Sequence, residues 1–324
     1  MAMRGFRPSL LLFGLALAPL CGCDGPSDPP APATSAAGLS GFPLELRGTD
    51  GGVSILEAPA ARVLPANASA FDLVVEIAGP DRIGAFVEEA QQWSVHVQRQ
   101  GLQLREDQLI GRLDMESVVV SDVDLIVTHA WQVTEQRPLL ERAGVPALEI
   151  PEVLGRAELR TVFEQLGRAL DEEEAAQALL DARLARLDDL QDRDRSHWGL
   201  MNLSYGSNGG WSAGTGTTFD TVLRWSGARN LLGEQGRDGH LTIDLETLLE
   251  MDPDAIVIGE GEDGDGGETI AFLREDPRVQ DLQAVKHCRY IILPGALYGT
   301  ASHHLVEAAE LIATQLDVWD AEEQ

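Results

Sequence analysis

Residues 115–127 read MESVVVSDVDLIV and residues 245–257 read LETLLEMDPDAIV, one pattern written twice at an offset of 130. Glu116 matches Glu246, Asp122 matches Asp252, Asp124 matches Asp254, and both segments close on Ile-Val. In each, a helical stretch runs into a buried strand. Helix–strand segments share much of their grammar, so five identities in thirteen positions carry weight only beside the rest of the chain. That rest agrees. Short apolar runs ending in small or polar residues recur at 62–64, 199–203 and 290–293, and helical stretches such as 69–78 and 303–316 alternate with them. Buried parallel strands with crossover helices are the economical reading.

Between residues 157 and 195 the strand signal vanishes. Leu159, Val162, Phe163, Leu166 and Leu170 form one helical stripe, and Leu180, Leu184, Leu187 and Leu190 continue it. Asp171, with Glu174 three residues later, is expected to cap the second part. The expected fold is α/β, with two Rossmann-like parallel-sheet lobes joined by a long rigid helical connector. The N-terminal lobe spans 44–156, the connector 157–195 and the C-terminal lobe 196–324; one continuous α/β domain with a long crossover helix is the alternative.

The first 22 residues read as a secretory signal. Arg4 and Arg7 precede the apolar run Leu10–Ala18, which is too short to span a bilayer. The ending Leu20-Cys21-Gly22-Cys23 resembles a bacterial lipoprotein signal, with Cys23 as the lipidated residue. Asp24 resembles the residue that holds some lipoproteins on the inner membrane, so a lipid anchor on its periplasmic side is expected. An ordinary cleaved signal with two incidental cysteines is the competing reading. Residues 23–43, rich in Gly, Ser, Pro, Ala and Thr, read as a flexible tether. Leu44–Leu46 and Val53–Leu56 flank Asp50-Gly51-Gly52 and predict a small hairpin.

Composition narrows function. Of 324 residues, 24 are Lys or Arg against 53 Asp or Glu, a net charge of −29 that repels phosphate backbones and argues against nucleic acid. Three cysteines make no disulfide framework, and Cys288 is expected to be a packed, inert thiol.

The chain resembles the substrate-binding lipoproteins of ABC importers, in the family that captures cobalamin, haem and ferric siderophores. The segments that carry the resemblance are Arg62–Asp81, Glu116–Val127, Leu241–Ile258, Phe272–Pro294 and Ser302–Leu316. It implies a class III binding-protein fold, a metal chelate held between the lobes, no intrinsic cofactor, a monomer, and delivery to an ABC permease dimer with its ATPase. It also implies that Glu116 and Glu246 pair with the permease, one from each lobe; helix-start electrostatics is their competing role. A lipid-anchored sensor or scavenger of the same fold, without a transporter, is the alternative function.

Open parallel sheets bind ligands beyond the carboxyl ends of their strands. The residues there are Asn67 and Ser69, Trp93, His129 and Trp131, Tyr205 and Trp211, and Tyr298. Ser69 is also placed to cap the helix that follows, whereas Asn67 is less easily explained as a cap. Aromatic faces suit a flat macrocycle or aryl chelate; packing beneath loops is the other role open to Trp93 and Trp131. No metal site is expected; His129 and His304 are weak candidates, since at most one of the adjacent His303 and His304 could serve and both are at home at the start of the last helix. Catalytic motifs fail on context, so no enzyme is expected. Gly259–Gly264 spells GxGxxG but carries carboxylates where a pyrophosphate needs bare N–H groups. Tyr205–Gly209 misses GxSxG at its first position. The run Glu260–Glu268 lacks calcium-loop spacing and reads as a solvated acidic loop.

Overall fold

Asp114 and Asp244 start the two copies of the repeat in the same way. Each caps a helix, Asp114 accepting the Ser117 N–H and Asp244 the Thr247 N–H, at 2.9 and 2.8 Å. The helices Met115–Val120 and Leu245–Met251 end in left-handed turns at Asp122 (φ 51°) and Asp252 (φ 38°), which Asp tolerates better than most residues. The strands Leu125–His129 and Ala255–Gly259 follow. The computed structural model describes residues 41–323 apart from 50, 112, 133–141, 207–208, 262–263 and 265. The expected signal, Cys23, nearly all of the tether, and Ser207 and Asn208 lie outside the described residues.

Leu125–His129 is the central strand of a parallel sheet, between Val63–Pro65 and Ala147–Ile150. All five of its residues are buried, as a strand covered on both faces must be. Alternation divides them. Leu125 and Val127 join Phe71, Val74 and Ile77 of the helix Ala68–Ala78, while Ile126 faces the other way and packs with Leu64 and Val118. The second sheet, in the order Arg229–Asn230, Gly199–Asn202, Ala255–Gly259, Tyr290–Leu293, is also parallel. There, Val257 joins the shared core, and Ile256 and Ile258 pack outward with Leu248. Val118 and Leu248 are again 130 apart. The hairpin Leu44–Arg47 with Val53–Leu56 is antiparallel, as expected.

The structure departs from the sequence reading in the glycine-rich stretch after Leu203. Ser204–Gly206 and Gly209–Ala213 are strands of a small antiparallel sheet completed by His240–Ile243, not a loop. Gly210 permits this: a Cβ there would lie 2.9 Å from the Ile243 carbonyl oxygen.

Residues 157–195 do form helices, Arg156–Leu170 and Glu173–Gln191, but as a hairpin whose two helices pack together. Asp171 ends the first helix rather than capping the second. Its φ of 58° is left-handed, and its N–H returns to the carbonyls of Gly167 and Arg168. Gly167 sets the close approach, since a Cβ there would meet the Ala176 Cβ at 2.8 Å. The predicted stripe is buried throughout, Leu190 only partly, and each fully buried Leu is worth about 1.5–3 kcal/mol relative to exposure. The second helix holds both lobes: Arg183 pairs with Glu76 of the helix Ala68–Ala78, and Arg186 with Glu310 of the helix Leu305–Glu322. Among the described residues no helix is long and apolar enough to cross a membrane. Cys288 is exposed rather than packed, and it occupies a left-handed turn (φ 52°) before Tyr290–Leu293.

Candidate functional site

Two adjoining chambers, of about 770 and 600 Å³, lie at the strand ends and share Ser204, Trp211, Tyr298 and Gly299 as their common wall. Trp93 reaches the larger chamber from the end of the helix Glu88–Trp93, and Trp131 reaches the smaller one just beyond Leu125–His129. Both come from the N-terminal lobe; Trp211 and Tyr298 come from the other. Trp93, Trp131 and Trp211 are 52%, 57% and 51% exposed, too open for satellite core. Trp211 points outward by strand alternation, since Gly210 and Ser212 beside it are buried.

Tyr298 lies in the short helix Gly295–Tyr298, and its OH accepts from Asn202 Nδ2 at 3.2 Å, which leaves the phenol proton free to donate. Burial pushes its pKa up, so it stays a phenol. Tyr205 lines the larger chamber but is stacked on Phe272, with centroids 3.6 Å apart, and so presents one face only.

Asn67, Ser69 and His129 are placed otherwise than expected. Asn67 is the cap: its Oδ1 accepts the Ala70 N–H at 2.8 Å, while its Nδ2 faces His129 Nδ1 at 3.0 Å and donates to Gln132. Ser69 instead accepts the Ala301 N–H at 2.8 Å, a bond between the lobes. His129 is the last residue of its strand, not a loop residue, and is wholly buried with Trp131 stacked on it at 5.9 Å. Burial lowers its pKa to about 4, so the imidazole is neutral. Because Asn67 donates to Nδ1, the ring proton sits on Nε2. These three residues position Trp131 and the lobes; none lines either chamber.

His303 and His304 do not meet His129. They gather with His96, Asp72 and Glu76 beneath the cleft, where Asp72, His96 and His304 offer donor atoms within 4.8 Å of one another. A metal there would compete with the bonds that Asp72 accepts from Ser94 Oγ, the Val95 and His96 N–H groups and His96 Nδ1. His96 Nε2 faces Glu76 at 3.1 Å. Burial disfavours charge on His96, yet Asp72 and Glu76 together outweigh it and raise the pKa to about 9. As placed, the group is an ion-pair cluster between the lobes.

Sequence reasoning missed Glu152, Glu260, Glu268, Thr269 and His240, all of which line a chamber. Their signal was weak because each looked like an ordinary surface residue. Glu116 and Glu246 line neither chamber and are exposed in the first turns of their helices.

Two parallel-sheet lobes, a helical connector and an aromatic cleft at the strand ends define a solute-binding protein. The chain belongs to the periplasmic binding protein family, whose model matches residues 81–297. Its members bind solutes outside the cytoplasm and are not enzymes. No curated protein matches the chain in sequence. Among solved structures, a periplasmic haem-binding protein of Pseudomonas aeruginosa is similar at 24% identity, with TM-score 0.65, over 80% of this chain and 93% of that one. The periplasmic haem-binding protein HutB of Vibrio cholerae matches at 17% identity and TM-score 0.66, over 79% and 98%. An ABC-type Fe3+-hydroxamate transport system protein of Saccharomonospora viridis matches at 18% and 0.66, over 85% and 99%. At these identities the likeness is one of fold.

Proposed function

We propose that the protein captures a metal chelate between its lobes and delivers it to an ABC permease dimer with its ATPase. The observation that carries the reading is the convergence of Trp93 and Trp131 from one lobe with Trp211 and Tyr298 from the other. Large rigid aromatic faces hold a flat ligand at little torsional cost. The haem-binding and Fe3+-hydroxamate neighbours support an iron complex, and a corrinoid is the other candidate of the same shape.

Delivery is supported by the repeat. Glu116 and Glu246 are exposed, and one turn on, Val119 (62% exposed) and Leu249 (40%) stand in equivalent places. A charge beside an apolar residue, once on each lobe, suits two-point docking better than a helix start alone requires. The protein acts as a monomer held at the membrane through Cys23.

Titration of chelates into the full chain should quench tryptophan fluorescence. Trp131→Ala and Trp211→Ala should each weaken binding by about 1–3 kcal/mol. Unchanged affinity in both variants would overturn the cleft assignment.

A further inference from the structure

Two carboxylates reach the larger chamber from the segment after the strand Ala255–Gly259. Glu260 and Glu268 both line it. Glu260 Oε2 accepts the Gly295 N–H at 3.2 Å. The Glu268 carboxylate leans over the strand Ser204–Gly206, its Oε2 lying 2.9 Å from where a Gly206 Cβ would be. No described Lys or Arg lines either chamber. The smaller chamber adds Glu152, set against a single base, His240. A bound anion would face these carboxylates with no Lys or Arg counter-charge among the described lining residues. A cation would meet the same carboxylates and the faces of Trp93 and Trp211, which attract positive charge.

We propose that the cleft selects neutral or cationic chelates and rejects anionic ones, with Glu260 and Glu268 as the residues that set this specificity. The proposal rests on the chelate-capture reading and sharpens it. The aromatic walls supply shape, and the carboxylates supply the sign of the charge.

Three ferric probes of similar size test it: a tris-hydroxamate bearing a protonated amine, a neutral tris-hydroxamate, and a trianionic tris-catecholate. Fluorescence titration of the full chain should rank them in that order, with the gap between first and last narrowing as salt rises. In Glu260→Gln with Glu268→Gln, affinity for the cationic probe should fall about tenfold, about 1.4 kcal/mol, relative to that for the neutral probe, and circular dichroism should report that the fold is intact. The catecholate should bind more tightly than before. A catecholate bound as well as the cationic probe by the unaltered protein, or a ranking unmoved by the double change, overturns the proposal while chelate capture stands. If no ferric probe, haem or corrinoid of any charge binds, capture itself falls, and this inference with it.

Discussion

Asp124 and Asp254, 130 residues apart, secure the same joint in each lobe. Asp124 accepts the N–H groups of Ala61 and Arg62 at 2.9 and 3.0 Å, at the entry to Val63–Pro65. Asp254 accepts the Gly199 N–H at 2.7 Å, at the entry to Gly199–Asn202. Each carboxylate thus ties the start of its own strand to the start of the strand beside it. Asp254→Ala should strip a charge-assisted acceptor from a buried N–H and cost about 1–3 kcal/mol. Urea unfolding should show a lower midpoint with an unchanged slope; an unchanged midpoint would mean water replaces the carboxylate freely.

Stability should peak near neutral pH. The His96 pKa is raised to about 9 in the folded state, so its contribution is full below the ordinary value of about 6.5 and is lost as pH rises through 9. Its charged and titratable neighbours are Asp72 and Glu76, His303 and His304, with Arg183 bound to Glu76. His129 and His303 act in the opposite sense. Burial lowers both to about 4, so their contribution is present above about 6.5 and fades as pH falls toward 4. Thermal unfolding from pH 4 to 10 should trace a dome, and His96→Gln should flatten its alkaline side. A wild-type alkaline limb retained in that variant would place the controlling group elsewhere.

Delivery should separate from capture. Glu116→Ala with Glu246→Ala should leave chelate affinity intact and reduce uptake in vesicles reconstituted with the permease, most visibly at low salt. Normal transport by the double variant would leave both residues as helix-start acids, worth about 0.3–1 kcal/mol each to the dipole.

The anchor is tested by fractionation. Cys23→Ser should move the protein from membranes to the soluble fraction with its circular dichroism unchanged, and persistence on membranes would place the anchor elsewhere.

Local rules alone determined a good part of this protein. Strands such as Tyr290–Leu293 follow from continuous apolar runs, and the buried stripe from Leu159 to Leu187 follows from helical spacing. The matched acids at 114, 122 and 124 and at 244, 252 and 254 carry cap, turn and strand entry in each lobe, all interactions with nearby or adjacent backbone. Which polar residue faces the cleft was decided by distant packing. Asn67 and Ser69 are both competent caps by residue type; the helix starts at Ala68, so Asn67 caps it, while Ala301, over 200 residues away, gives Ser69 its partner. His129 sits one residue before solvent in sequence, yet Trp131 covers it. His96 gave no signal until Asp72, Glu76 and the His303–His304 pair closed around it. A side chain's partners across two lobes depend on how whole helices and sheets pack, and no local periodicity encodes that.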